Sequence, residues 1–146
     1  MAFVLKRPSP LARVELYAKP ASTAFAIGDL VAANADNSTN TFVVASATTE
    51  FHLGVLQRTI ASTDSDYTSE TKVEILVDEC GIWEVDVGTG TADINDEQGY
   101  IDLKDLNEVN VSASSIDPFF VTEFVSGTKV RGKICSWAGF QRPVDS

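Results

Sequence analysis

The chain has 146 residues, a mass of 15.7 kDa and 44% apolar residues, which suits one folded domain with its own core. Eleven Lys and Arg stand against 21 Asp and Glu, a net charge of −10. Phosphate neutralisation needs the opposite sign, and an anionic membrane surface repels such a chain, so no nucleic-acid partner and no membrane partner is expected. Two cysteines, Cys80 and Cys135, and one histidine, His52, are too few for a four-ligand zinc site. No run reaches the ~18 apolar residues of a spanning helix.

The first eight residues, Met1 to Pro8, place apolar side chains ahead of Lys6 and Arg7. A secretory signal has the reverse order, so the expectation is a protein made in a cytoplasm with both thiols reduced. Residues 1–20 carry Lys6, Arg7, Arg13 and Lys19 against Glu15, a net +3, while residues 21–146 carry −13. The same segment holds Pro8, Pro10 and Pro20, and proline biases the chain to extended geometry. The domain reading is therefore an extended basic N-terminal arm, 1–20, on a β-rich body, 21–146. A short strand is expected within Leu11 to Tyr17. Free tails seldom carry as many apolar residues as Phe3, Val4, Leu5, Leu11, Val14, Leu16 and Tyr17, so the arm is expected to lie on a neighbouring subunit.

The body reads as strands in sequence. Ala26 to Ala32 passes through a Gly28-Asp29 turn, and Asn34 to Asn40 is a polar turn. Thr41 to Ala47 is rich in β-branched residues, and Leu53 to Ile60 follows. Ala61 to Thr71 is a polar loop with Asp64, Asp66 and Glu70. Lys72 to Val77 alternates before an apolar step, and Ile82 to Val87 follows with Trp83 interrupting its alternation. These two strands, joined by Asp78-Glu79-Cys80-Gly81, predict a hairpin with one wet and one dry face, closed by Gly88-Thr89-Gly90. Tyr100 to Leu103, Glu108 to Ala113, Phe119 to Phe124 and Lys129 to Cys135 complete the set. Short helical turns fit only at Thr23 to Ile27 and Asp102 to Glu108. The fold class expected is all-β: a small β-barrel or sandwich of about nine or ten short strands with an extended N-terminal arm.

Chemistry is sparse. His52 lacks a nucleophile motif to serve, with no Gly-x-Ser-x-Gly and no Ser-x-x-Lys in the chain, so no catalytic residue is assigned and no enzyme is expected. The loop Asp93 to Gly99 invites a calcium reading, but an EF-hand register from Asp93 puts Gln98 where glycine belongs and Lys104 where glutamate belongs. A solvated turn is the expectation there, with no metal and no cofactor. Among 21 acids any carboxylate pair can be nominated, which carries no information. Phe119, Phe120, Phe124, Trp83 and Trp137 read as core aromatics. Adjacent Phe119 and Phe120 point to opposite faces of a strand, so one ring needs a cover from the arm or another subunit.

The Gly-Asp-Leu-Val run at 28–31, the Leu-Gly-Val-Leu step at 53–56, and the pair Val-Glu-Ile-Leu-Val at 73–77 with Gly-Ile-Trp-Glu-Val at 81–85 resemble the small β-rich head decoration, or capsid cement, proteins of tailed bacteriophages. The resemblance spans roughly residues 25–90. It implies a non-enzymatic virion protein on the outer capsid surface, self-associated as a homotrimer, that clamps neighbouring major capsid subunits. The arm residues expected to meet the partner are Phe3, Val4, Leu5, Lys6, Arg7, Leu11, Arg13 and Val14. Their apolar members would be buried there, each contributing roughly 1.5–3 kcal/mol before ordering costs, and their cations would pair with partner carboxylates. Deleting residues 2–14 is then expected to weaken attachment and leave the body folded. Two alternatives share the β-rich, motif-poor character: another phage structural part, from the tail or as a minor head protein, and a carbohydrate-binding β-sandwich that would use an exposed Trp83 or Trp137.

Overall fold

The structure is a computed structural model and describes residues 2–34, 40–47, 49, 51–116 and 118–135. It is all-β, with eleven strands among the described residues. The strands are β1 (Val4–Arg7), β2 (Arg13–Ala18), β3 (Leu30–Ala32), β4 (Val43–Val44), β5 (His52–Leu56), β6 (Lys72–Val77), β7 (Ile82–Thr89), β8 (Tyr100–Asp105), β9 (Glu108–Asn110), β10 (Phe119–Ser126) and β11 (Lys129–Ile134). A single 3-10 turn, Ile94–Asp96, is the helical element among the described residues.

Strands β7, β11, β10, β8 and β9 form a five-stranded barrel. A parallel pairing of β9 with the C-terminal half of β7, Asp86 with Glu108 and Val87 with Val109, closes it. The first half of β7 pairs on that same edge with β1, Leu5 opposite Trp83. Closure removes the free edges that would otherwise remain. The remaining strands form an antiparallel sheet in the order β2, β6, β5, β3, β4.

The expected β6–β7 hairpin does not form. The two strands are consecutive but lie in different sheets, β6 between β2 and β5, and β7 in the barrel. Their connection crosses from sheet to sheet. Asp78, buried at its start, accepts the Ser9 backbone N–H at 2.7 Å and the Ser9 hydroxyl, which fixes the crossing against the β1–β2 link. Trp83 does not interrupt β7 either: Trp83 and Val85 are both buried, so they keep the alternation.

The second sheet is buried on both faces at its centre. Leu30, Val55 and Leu76 pack on the barrel interior with Trp83, Val85, Leu103, Phe119 and Val130. Their chain neighbours Val31, Leu56 and Ile75 turn the other way, into a second cluster with Phe25, Phe42, Ile60 and Val73. A strand buried on both sides has no polar alternation to keep, which explains the apolar step at the end of β6. Gly28 (φ +94°) makes the left-handed turn before β3, and its carbonyl accepts the Phe3 N–H at 3.0 Å.

Candidate functional site

Residues 2–20 run as two strands, β1 and β2, joined by a turn at Pro10 and Leu11, and are laid on the body of their own chain. Phe3 is 2% exposed, in the barrel core beside Phe119 with ring centroids 6.2 Å apart. Leu5 is half-buried against the same core. These two side chains, expected at a partner, are packed in this chain's own core and anchor the segment within the protomer. The reason is geometric: β1 adds to β7, with Leu5 opposite the buried Trp83, so Leu5 packs on the barrel core.

The cations are likewise engaged at home. Arg7 donates to Glu123 at 2.6 Å, in a chain of ion pairs that continues through Arg131, Glu84, Lys129 and Asp86 across the barrel surface. Arg13 forms a two-pronged pair with Glu79, at 2.8 and 2.9 Å, and this hydrogen bond holds the Glu79 carboxyl below the usual range. Lys19 is fully buried, and its ammonium donates to the carbonyls of Asp66 (2.7 Å), Tyr67 (3.3 Å) and Ser69 (2.6 Å). The acidic loop 61–71 is thus ordered around a lysine from the basic segment. Lys6 is exposed.

Beside the exposed Lys6, Arg7 and Arg13, the segment also turns apolar side chains outward. Val4 is 46% exposed, Leu11 50%, Val14 54% and Leu16 59%. Leu16 stands two residues from Val14 and so on the same face of β2, a relation the alternation alone would have given. The opposite face of β2 carries Arg13, Glu15 and Tyr17 and lines a mostly apolar groove of about 590 Å³ that reaches Phe51 and the end of β11.

The edge of β2 away from β6 is open over most of its length. The Ala18 carbonyl points to that edge, where it accepts the Phe42 N–H at 3.0 Å. Residues of the same parity, Val14 and Leu16, therefore aim their backbone N–H and C=O outward, and no bond to either outward pair is made among the described residues. Sheet edges in soluble proteins usually carry lysine, proline or a covering loop. This one carries Val14 and Leu16, with Pro10 and Pro20 beyond its ends.

The remaining candidates resolve into structural roles. His52 is buried, with Nε2 2.8 Å from the Thr49 hydroxyl and Nδ1 3.4 Å from the Cys135 carbonyl. Burial pushes its pKa down to about 4, so the ring is neutral at pH 7. In the acidic loop, Asp93 caps the 3-10 turn and accepts from Asn95, Asp96 accepts from Asp93, and Glu97 accepts from the Phe124 N–H at 2.9 Å. Those carboxylates hold the loop itself, as a solvated turn would. No cluster of three or more metal-ligating side chains occurs among the described residues.

Phe120 needs no foreign cover: the Tyr100 ring of β8 lies over it, centroids 4.9 Å apart. Trp83 is 1% exposed and its Nε1–H donates to the Asp78 carbonyl at 3.4 Å, so it offers no ring to a sugar. Trp137 lies outside the described residues. Cys80 is an exposed free thiol. A scan against protein-family models and a search of curated proteins find no match to this chain.

Proposed function

We propose that this chain is a structural virion protein that decorates a tailed-phage capsid and bridges neighbouring major capsid subunits, with no chemistry of its own. The observation that carries the reading is the N-terminal segment. It is anchored by Phe3 and Leu5, yet it turns Val4 of β1, Leu11 of the β1–β2 turn, and Val14 and Leu16 of β2 to solvent at the periphery of both sheets. Exposed apolar side chains in a row on a strand edge suit strand addition to another subunit. Val4, Lys6 and Leu11 are the contacts assigned to the capsid protein. Many such weak contacts, repeated over a symmetric shell, give tight coating without a strong single interface.

The test is co-sedimentation of the purified protein with empty shells of the same phage's major capsid protein. Saturable binding is expected, reduced at least tenfold by the double variant Val4→Glu, Leu11→Glu. Absence of the wild-type protein from the pelleted shells would overturn the reading.

A further inference from the structure

The open edge of β2 can be satisfied by a second copy of the same strand, and a register centred on Leu16 is blocked because it needs the Ala18 edge that Phe42 already occupies. Val14 and Leu16 aim their backbone groups outward, so either can occupy a hydrogen-bonded position of an antiparallel pair. If the two strands are centred on Glu15, the carboxylates of both copies stand directly opposite, which is repulsive. If they are centred on Val14, Arg13 of each copy stands opposite Glu15 of the other, and Leu16 lies beside Ala12. That register sets a second copy's Glu15 opposite an Arg13 already held by Glu79 at 2.8 Å and by its own Glu15 at 3.4 Å, so each guanidinium is shared across the seam, and it brings the two Val14 side chains together on the exposed apolar face.

We propose that two copies of this chain pair through β2, antiparallel and centred on Val14, joining their second sheets across a two-fold axis. A two-fold contact of this kind uses the same patch on both partners, so residues 13 and 15 must complement each other, as they do. β2 itself carries one cation, Arg13, and one anion, Glu15, so two copies meet there without a net like charge. The proposal names the occupant of one half of the surface described under the proposed function. It rests on that reading only in treating the segment as an interface.

Size exclusion with light scattering on the intact protein tests it. The expected mass is twice the 15.7 kDa of the chain, concentration-dependent at the dilute end. Glu15→Arg places Arg opposite Arg, and Arg13→Glu places Glu opposite Glu, so each variant alone is expected to run as a monomer. Mixed in equal amounts they restore both opposite-charge pairs and are expected to return to the doubled mass. Leu16→Lys, at a side chain already in solvent, is expected to give a monomer with unchanged circular dichroism. A wild-type monomer, a threefold mass, dimeric single variants, or a mixture that stays monomeric would each overturn the proposal. Shell binding by monomeric Leu16→Lys would separate this pairing from the capsid reading, which rests on Val4 and Leu11.

Discussion

The Phe3 ring packs 6.2 Å from the Phe119 ring, tilted by 58°, so the third residue of the chain is part of the core built by its last strands. An aromatic ring buried this fully is a stability element before it is a recognition element. Phe3→Ala should therefore cost about 3–5 kcal/mol. Urea denaturation of the variant checks this, and a loss under about 1 kcal/mol would mean the ring adds little to the core.

The same relation reverses the expectation for truncation. Removing residues 2–14 deletes Phe3, Leu5, the β1 pairing and the Ser9 bonds to Asp78. The truncated body should melt well below the intact protein rather than fold unaided. A thermal scan decides it: an unchanged midpoint would return the segment to the status of a detachable arm.

His52 makes stability depend on pH. Its folded-state pKa of about 4 lies below the 6.5 of an exposed imidazole, so the unfolded chain takes up the proton first. Its contribution is present above pH 6.5 and is lost as pH falls towards 4. Between pH 7 and 5 the loss should be about 2 kcal/mol. Denaturation at both pH values, compared with His52→Gln, isolates the effect. An equal decline in the variant would assign the slope to other groups.

Lys19 should be the keystone of loop 61–71. Lys19→Met keeps the buried stem but leaves the Asp66, Tyr67 and Ser69 carbonyls without their donor. The expected cost is roughly 3 kcal/mol, with faster amide exchange confined to the loop. Unchanged exchange there would show that the loop's own turns suffice.

How much of this was legible in the sequence follows from which signals are local. β6 was readable from its alternation, and β7, β10 and β11 from short apolar and β-branched runs between turn residues, so the all-β class followed. The strand pairing was not. The β6–β7 link looks like a hairpin loop, yet the bonds from Ser9 to Asp78 that hold it as a crossing come from far along the chain. The extended form of β1 and β2 was readable from the prolines, and the segment's apolar content from composition. Its anchoring was not, since Phe3 and Phe119 meet only in the fold. Basic composition also overstated the cations on offer, because Lys19 is buried and Arg7 and Arg13 already meet the body's own acceptors, which leaves Lys6 as the exposed cation without an ion pair among the described residues. The outward pairing of Val14 with Leu16 was available from strand periodicity.

The central claim is that the outward side of Val4 to Leu11 meets the capsid. Amide hydrogen exchange of the intact protein, free and bound to empty shells of the major capsid protein, tests it most directly. Slowed exchange across residues 4–11 on the shell, with loop 61–71 unchanged, is the predicted result. Protection confined to other strands, or none anywhere, would contradict it.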